Sequence, residues 1–147
     1  MDSTHDDEAQ ISTGEPTEEM FAVEEVAVET TDNEVVMSDI VATEIDIDGD
    51  GVADGFAVKS TEVREIDVNG DGTVDIIETT TIAETVIDVD GDGVPDMGTR
   101  VTTEEVVMDV NGDGRPDTIE ITETSTIAYD TTGDGLPDVS ETTVIEA

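Results

Sequence analysis

The chain contains no cysteine and no tryptophan, and it has one histidine and four basic side chains among 147 residues. The absence of cysteine excludes disulfides, zinc-thiolate sites, iron-sulfur clusters and thiol nucleophiles. The histidine, His5, lies in a polar stretch rich in acidic and hydroxyl residues, where a solvated tail residue is its expected role. Because the sequence also shows no nucleophile-base pair and no glycine-rich phosphate loop, we expect that the protein is not an enzyme.

Aromatic residues make up only 2% of the chain and apolar residues 35%, less than a normal globular core uses. We therefore expect no thick hydrophobic core. The 41 acidic side chains outnumber the 4 basic ones and give a net charge of −37, which excludes a nucleic-acid partner bound through its phosphates. No apolar run is long enough to cross a membrane, so we expect no membrane insertion.

One motif, Asp-x-(Asp/Asn/Thr)-Gly-Asp-Gly-x-x-Asp, occurs five times at a spacing of 21 residues. Oxygen-bearing side chains at alternating positions of a tight loop can converge on a hard cation such as Ca²⁺, which takes six to eight oxygens at roughly 2.3–2.6 Å. The glycine at the sixth position allows the sharp turn that this convergence needs. The motif therefore predicts five calcium-binding loops, here called loop 1 (46–54), loop 2 (67–75), loop 3 (88–96), loop 4 (109–117) and loop 5 (130–138).

Counted from the first aspartate of each loop, side chains at positions 1, 3, 5 and 9 are expected to point to the ion, position 7 offers a carbonyl, and position 12 can add a glutamate. Loops 1 and 3 have aspartate at position 3 and no acid at position 12. Loops 2, 4 and 5 have asparagine or threonine at position 3 and glutamate at position 12, so every loop has four acids. The candidate metal ligands are Asp46, Asp48, Asp50, Asp54, Asp67, Asn69, Asp71, Asp75, Glu78, Asp88, Asp90, Asp92, Asp96, Asp109, Asn111, Asp113, Asp117, Glu120, Asp130, Thr132, Asp134, Asp138 and Glu141.

The twelve-residue segments between loops are crowded with threonine, valine and isoleucine, which favour strands over helices. Each segment is predicted to be one strand, or two strands broken in the middle. The fold class is therefore all-β, with 21-residue repeats arranged as an antiparallel meander in which the loops are the turns. A β-solenoid, with all loops stacked along one edge, is the alternative. The meander is favoured because stacked loops with four carboxylates each would repel one another.

Residues 46–147 are predicted to form this five-repeat array, preceded by a disordered acidic tail over residues 1–19. Continuing the 21-residue frame backwards makes residues 20–45 a degenerate copy without the loop glycines. Because terminal repeats of arrays are commonly atypical, we interpret this segment as a non-binding cap that forms a hairpin from residues 21–28 and 35–45. A short helix over residues 18–28 is the competing interpretation.

Loop 2 and its flank, Asp67-Val-Asn-Gly-Asp-Gly-Thr-Val-Asp-Ile-Ile-Glu78, resemble an EF-hand loop and, in the first half, a dockerin repeat. Loops 3 and 4 are similar to bacterial thrombospondin type 3 repeats and to FG-GAP/VCBS-type calcium repeats. These resemblances imply calcium binding by the loops between Asp46 and Glu141. The chain departs from paired EF-hands at position 8, where Pro95, Pro116 and Pro137 lack the N–H that bridges such pairs. Its flanks also lack the helical pattern of a dockerin, so cohesin binding is not implied.

These observations favour up to five bound Ca²⁺ ions and a calcium-dependent structural or interaction module. Its partner is calcium, together with another protein or a second copy of the chain joined through strand edges. A cytoplasmic calcium buffer or sensor is an alternative, as is a polyanionic mimic or mineral-binding protein. Location stays open: calcium loops of this kind suit an extracellular or cell-envelope setting, whereas the first residues show no signal peptide, which suits the cytoplasm.

Overall fold

A computed structural model describes residues 25–147. In this range the chain forms one antiparallel sheet whose strands follow one another in chain order. The strands are β1 (Glu25–Thr30), β2 (Glu34–Ile45), β3 (Gly55–Ile66), β4 (Ile76–Ile87), β5 (Met97–Met108), β6 (Thr118–Tyr129) and β7 (Val139–Glu146). The prediction of an all-β antiparallel meander is confirmed. The β-solenoid alternative is wrong, because every neighbouring strand pair runs antiparallel.

Each twelve-residue segment between loops is a single unbroken strand. The strands pair over their full length, as β3 and β4 do from Gly55 opposite Ile87 to Ile66 opposite Ile76. Threonines in the middle of the segments face one another across strands, in the row Thr61, Thr81 and Thr103. Such β-branched cross-strand pairs stabilise a sheet that has water on both faces. The hydrophilic middles of the segments therefore do not break the strands.

The antiparallel order and equal lengths of the strands place the loops in two rows, one at each end of the strands. We call each row of strand ends an edge of the sheet. Loops 1, 3 and 5 join β2 to β3, β4 to β5 and β6 to β7, and they lie along what we call the odd-loop edge. Loops 2 and 4 lie along the opposite, even-loop edge, together with the short turn at residues 31–33 between β1 and β2. Consecutive loops in the sequence are thus separated by the length of a strand.

The sheet is one layer thick and has no interior. Among residues 26–147 no hydrophobic and no polar side chain is buried, and Phe56, one of the largest, is 53% exposed. The expectation that the chain lacks a thick hydrophobic core is therefore confirmed for this range. Cross-strand ion pairs add little: Arg64 Nη1 lies 3.4 Å from Glu78 Oε2 and Arg100 Nη1 lies 3.4 Å from Glu84 Oε1, and all four side chains are exposed enough for solvent to screen them.

The segment before loop 1 is a hairpin over its described part. Residues 31–33 turn the chain between β1 and β2, and the Thr31 N–H donates to the Glu34 carbonyl at 2.8 Å. Glu25–Thr30 is a strand, so the helical alternative is wrong for residues 25–28. The interpretation of residues 20–45 as a degenerate cap stays a prediction. The predicted tail at residues 1–19 and the start of the cap at residues 20–24 lie outside the described residues.

Over residues 25–147, no helix is present that has the length and hydropathy to cross a membrane.

One glycine is required by the close approach of two strands. A Cβ atom on Gly55 would overlap the backbone carbonyl oxygen of Val86 on β4, whereas a Cβ on Gly98 would lie 3.9 Å from the Thr85 carbonyl oxygen, an ordinary contact. We expect Gly55→Ala to lower the free energy of unfolding by about 1–3 kcal/mol, the usual cost of forcing an atom into a packed site. Gly98→Ala, the matched control, should be neutral or stabilising by up to about 1 kcal/mol.

Chemical denaturation of both variants in excess calcium measures this difference. Equal stabilities would contradict the packing that places β3 against β4 at this point.

Candidate metal centre

Each loop is closed at its base by a backbone hydrogen bond. The N–H of the position-9 aspartate donates to the carbonyl of the residue before position 1, as Asp54 does to Ile45 at 2.7 Å. The other four loops repeat this bond at 2.8–2.9 Å. The two ends of every loop are therefore held together at the point where the strands begin.

Two glycines in each loop, at positions 4 and 6, have backbone conformations that other residues rarely adopt. Their φ angles lie between 71° and 89° in all five loops. In loop 1, Cβ atoms on Gly49 and Gly51 would meet nothing within 4 Å, so the backbone conformation and not crowding requires glycine there. The motif predicts this role for position 6 only. The structure extends it to position 4, for which the repeated Gly-Asp-Gly is the sequence signal.

The position-1 aspartate is the centre of the hydrogen bonding in each loop. Its two carboxylate oxygens accept the N–H groups of the glycines at positions 4 and 6, and in loop 1 Gly49 donates to Asp46 Oδ1 at 2.7 Å while Gly51 donates to Oδ2 at 2.9 Å. Equivalent bonds of 2.6–2.8 Å occur in the other four loops. The loop is thus wrapped around one carboxylate.

The remaining predicted ligands are also oriented by loop amides. In loop 1, one oxygen of Asp48 accepts the N–H of Asp50, one oxygen of Asp50 accepts that of Val52, and one oxygen of Asp54 accepts that of Ile47. Each carboxylate can accept about four hydrogen bonds or ion contacts, so these bonds leave capacity for a cation. They fix side chains that would otherwise repel one another and turn away.

Loops 2 to 5 repeat this pattern with one variation. In these loops the side-chain oxygen at position 5 accepts the N–H of position 7, and the one at position 9 accepts the N–H of position 2, at 2.6–3.0 Å. At position 3, Asn69, Asp90 and Asn111 accept the position-5 N–H, whereas Thr132 donates its N–H to Asp130 Oδ1. Loop 5 therefore presents its third position differently from the other four loops.

Carboxylates converge most closely in two of the loops. One oxygen from each of Asp46, Asp48 and Asp50 in loop 1 lies within 4.8 Å of the others, and the same holds for Asp88, Asp90 and Asp96 in loop 3. These are the two loops with aspartate at position 3. Three carboxylates at such distances repel one another, and a bound cation would offset that repulsion. An all-oxygen donor set of this kind suits Ca²⁺ better than metals that prefer imidazole or thiolate.

The position-12 glutamates lie on strands and not among these clustered carboxylates. Glu78 on β4 stands opposite Arg64 on β3 and accepts its Nη1 at 3.4 Å. Glu120 lies on β6, and Glu141 lies on β7 opposite Ile127. Cross-strand pairing thus gives Glu78 a neighbour that the loop spacing alone does not reveal.

The family model described as EF hand matches residues 64–83, which contain loop 2 and most of β4. No curated protein and no solved structure matches the chain. The EF-hand loop supplies calcium ligands from positions 1, 3, 5, 7, 9 and 12, the pattern expected here for Asp67 to Glu78. Loop 2 carries a calcium-binding motif. The motif and the two carboxylate clusters together indicate a site for a divalent cation, with calcium as the ion that the donor set favours.

Hydrogen bonds from the loop lower the pKa of several of the motif's carboxyl groups. The Gly72 N–H, with smaller contributions from other loop amides, lowers the pKa of Asp67. The Thr131 hydroxyl and N–H do the same for Asp138. Desolvation raises the pKa of Asp130, but hydrogen bonds from Gly135, Gly133 and Thr132 together exceed it and the net shift is downward. The folded loops therefore favour the ionised form of these carboxyl groups, which is the form that binds metal.

A lowered pKa in the folded state predicts loss of stability in acid. The contribution of Asp67, Asp130 and Asp138 is present above the unfolded-state pKa of about 3.9 and is lost as pH falls through their lower folded-state values. We expect the melting temperature in fixed excess calcium to stay level above about pH 5 and to fall below about pH 4. Relief of the net negative charge acts in the opposite direction, so a melting temperature that rises on acidification would show that charge relief outweighs the loop hydrogen bonds and would contradict this prediction.

Proposed function

We propose that the chain binds up to five Ca²⁺ ions, one in each loop, and that ion binding drives the folding of the sheet as a structural or interaction module. The observation that carries this proposal is the repeated ring of amide-to-carboxylate hydrogen bonds, which holds position 1 in all five loops at 2.6–2.9 Å. Such a ring orients the carboxylates of the folded loop. The EF-hand match over loop 2 supports calcium as the ion.

The charge of the chain explains why folding would depend on the ion. Four carboxylates per loop and a net charge of −37 favour expansion of the chain. Five divalent ions would remove ten negative charges, and they would do so where the charges are closest together. A ligand that binds only the folded state stabilises it by about 2.7 kcal/mol per site at a hundred times its dissociation constant. Five sites would supply roughly 13 kcal/mol, comparable with the whole stability of an ordinary domain.

The proposed ligands of each ion are the side chains at positions 1, 3, 5 and 9 and the carbonyl at position 7. In loops 2, 4 and 5 a glutamate at position 12 completes the set, and for loop 2 this requires Glu78 to exchange its contact with Arg64 for the ion. Loops 1 and 3 need no such exchange, because their fourth carboxylate is the aspartate at position 3, which already lies in the loop. We therefore propose that loops 1 and 3 have the higher affinity.

The resemblance of loops 3 and 4 to bacterial thrombospondin type 3 repeats agrees with this proposal. In both loops, proline at position 8 removes a backbone N–H that a paired EF-hand would use, so these loops would act as separate turns of a sheet. We propose no catalytic step, since the carboxylates that could move protons are the same ones assigned to the ions.

Calcium titration of chelator-treated protein tests the proposal. We expect about five ions bound per chain by equilibrium dialysis, a gain of β signal in circular dichroism and a large rise in melting temperature. The control is Mg²⁺, which needs near-ideal octahedral geometry and should be less effective at equal concentration. A spectrum and a melting temperature unchanged by millimolar calcium would sink the proposal.

Reciprocal exchange at position 3 tests the ranking of the loops. Asp90→Asn should weaken calcium binding by loop 3 by about ten-fold, because it removes a carboxylate from a cluster of three. Asn69→Asp, the matched change in loop 2, should strengthen calcium binding by that loop by a similar factor. Isothermal titration calorimetry of both variants, with a trivalent lanthanide as competitor, measures the shifts. Weaker binding by Asn69→Asp would show that an added carboxylate does not face the ion.

A further inference from the structure

Neighbouring loops on one edge are joined directly by a backbone hydrogen bond. On the odd-loop edge, the N–H of Asp88 in loop 3 donates to the carbonyl of Asp54 in loop 1 at 2.7 Å, and the N–H of Asp130 in loop 5 donates to the carbonyl of Asp96 in loop 3 at 2.9 Å. Each bond links position 9 of one loop to position 1 of the next. In each bonded pair, one residue is a proposed ligand of one ion and the other is a proposed ligand of the neighbouring ion.

The even-loop edge repeats this linkage once. The N–H of Asp109 in loop 4 donates to the carbonyl of Asp75 in loop 2 at 2.9 Å, but the N–H of Asp67 in loop 2 donates to Asn33, which lies in the glycine-free turn between β1 and β2. The proposed ion sites are therefore connected as a row of three on one edge and a pair on the other.

The bond lies where it can transmit order between sites. The position-9 aspartate uses its N–H to close its own loop, its carboxylate to accept the position-2 N–H, and its carbonyl to reach the next loop, as Asp96 does with Ile87, Val89 and Asp130. An ion that holds the carboxylate of Asp96 also restricts the direction of its carbonyl. That carbonyl then presents a fixed acceptor to Asp130, whose carboxylate organises loop 5.

We propose that calcium binding is positively cooperative between loops on the same edge, so that loops 1, 3 and 5 fill as one unit and loops 2 and 4 as another. This inference rests on the proposed calcium binding. An ion in one loop orders a peptide group that its neighbour needs, so the second ion orders fewer groups and binds more tightly.

Repulsion between bound ions opposes this coupling but acts over a longer range. Loops on one edge are two strand spacings apart, which is about 10 Å. That separation exceeds the Debye length of about 8 Å at physiological ionic strength, so exposed ions are largely screened from each other. The hydrogen bond is not screened, and cooperativity should therefore be stronger at physiological salt than at low salt.

The strands offer a competing route for coupling, and the topology separates it from the edge route. Loop 3 is joined through β4 to loop 2 and through β5 to loop 4, each a strand of 12 residues and so about 40 Å long. If sites communicate along strands, loss of loop 3 weakens loops 2 and 4. If they communicate along the edge, it weakens loops 1 and 5.

Nuclear magnetic resonance of the full chain labelled with ¹⁵N-glycine follows each loop separately. The reporters are the position-6 amides, which donate to the position-1 carboxylates: Gly51, Gly72, Gly93, Gly114 and Gly135. The test variant is Asp92→Asn at position 5 of loop 3. Because a Cβ on Gly133 would lie 4.0 Å from Asp92 Oδ2, loop 5 could sense this change directly, and Gly51 in loop 1 is the decisive reporter.

Because folding of the sheet couples all loops, loss of one site should raise every midpoint to some extent, and Gly72 and Gly114 measure that shared rise. We expect Asp92→Asn to raise the calcium midpoint at Gly51 by about five-fold more than at Gly72 and Gly114. The matched control, Asp113→Asn in loop 4, should raise the midpoint at Gly72 more than the midpoint at Gly51. If Asp92→Asn does not fold at saturating calcium, Asp50→Asn in loop 1 takes its place, with Gly93 as the reporter.

The outcomes separate the two proposals. If no glycine amide of the original chain responds to calcium, the proposed function fails. If all five loops respond but Asp92→Asn changes loop 3 alone, or changes Gly72 and Gly114 as much as Gly51, calcium binding stands and coupling along the edge is overturned.

Discussion

A sheet one layer thick cannot bury side chains completely on either face, and the rest of the structure depends on this constraint. None of the hydrophobic side chains over residues 26–147 is buried, and even Ile145 near the end of β7 is 57% exposed. Many apolar strand residues, such as Ile76 and Val106, are half-buried, so burial of apolar surface, the largest stabilising term in ordinary domains, is less complete here. Strand pairing and the geometry of the loops have to supply the remaining stabilising free energy, against the mutual repulsion of 41 acidic side chains.

The same hydrogen bonds turn the chain and arrange its carboxylates, and this is why we propose that folding and ion binding are linked. The position-1 aspartate gathers the glycine amides, and the position-9 aspartate closes the loop and reaches its neighbour, as Asp54 does with Ile45 and Asp88. Without an ion, these bonds hold like charges together at a cost in free energy. In our proposal, a bound ion makes this arrangement favourable and makes the loops rigid at the ends of the twelve-residue strands.

Much of this fold could be predicted because its signals are local. β-branched segments of equal length and a repeated turn motif define strands and loops, and the bounds of Gly55–Ile66 follow from them directly. Features that depend on register could not be predicted in this way. The contact of Glu78 with Arg64, the approach of Gly55 to Val86, and the bond from Asp88 to Asp54 each join residues from different repeats. The candidate ligands came from the motif, whereas their linkage along each edge required the sheet.

The central claim is that ion binding provides the stability that a core would otherwise provide. The free energy of unfolding, measured by denaturant at a series of fixed free calcium concentrations, tests it most directly. For five ions bound only by the folded chain, each ten-fold increase in free calcium above the dissociation constants should add about 7 kcal/mol. A free energy of unfolding that does not depend on calcium would contradict the claim.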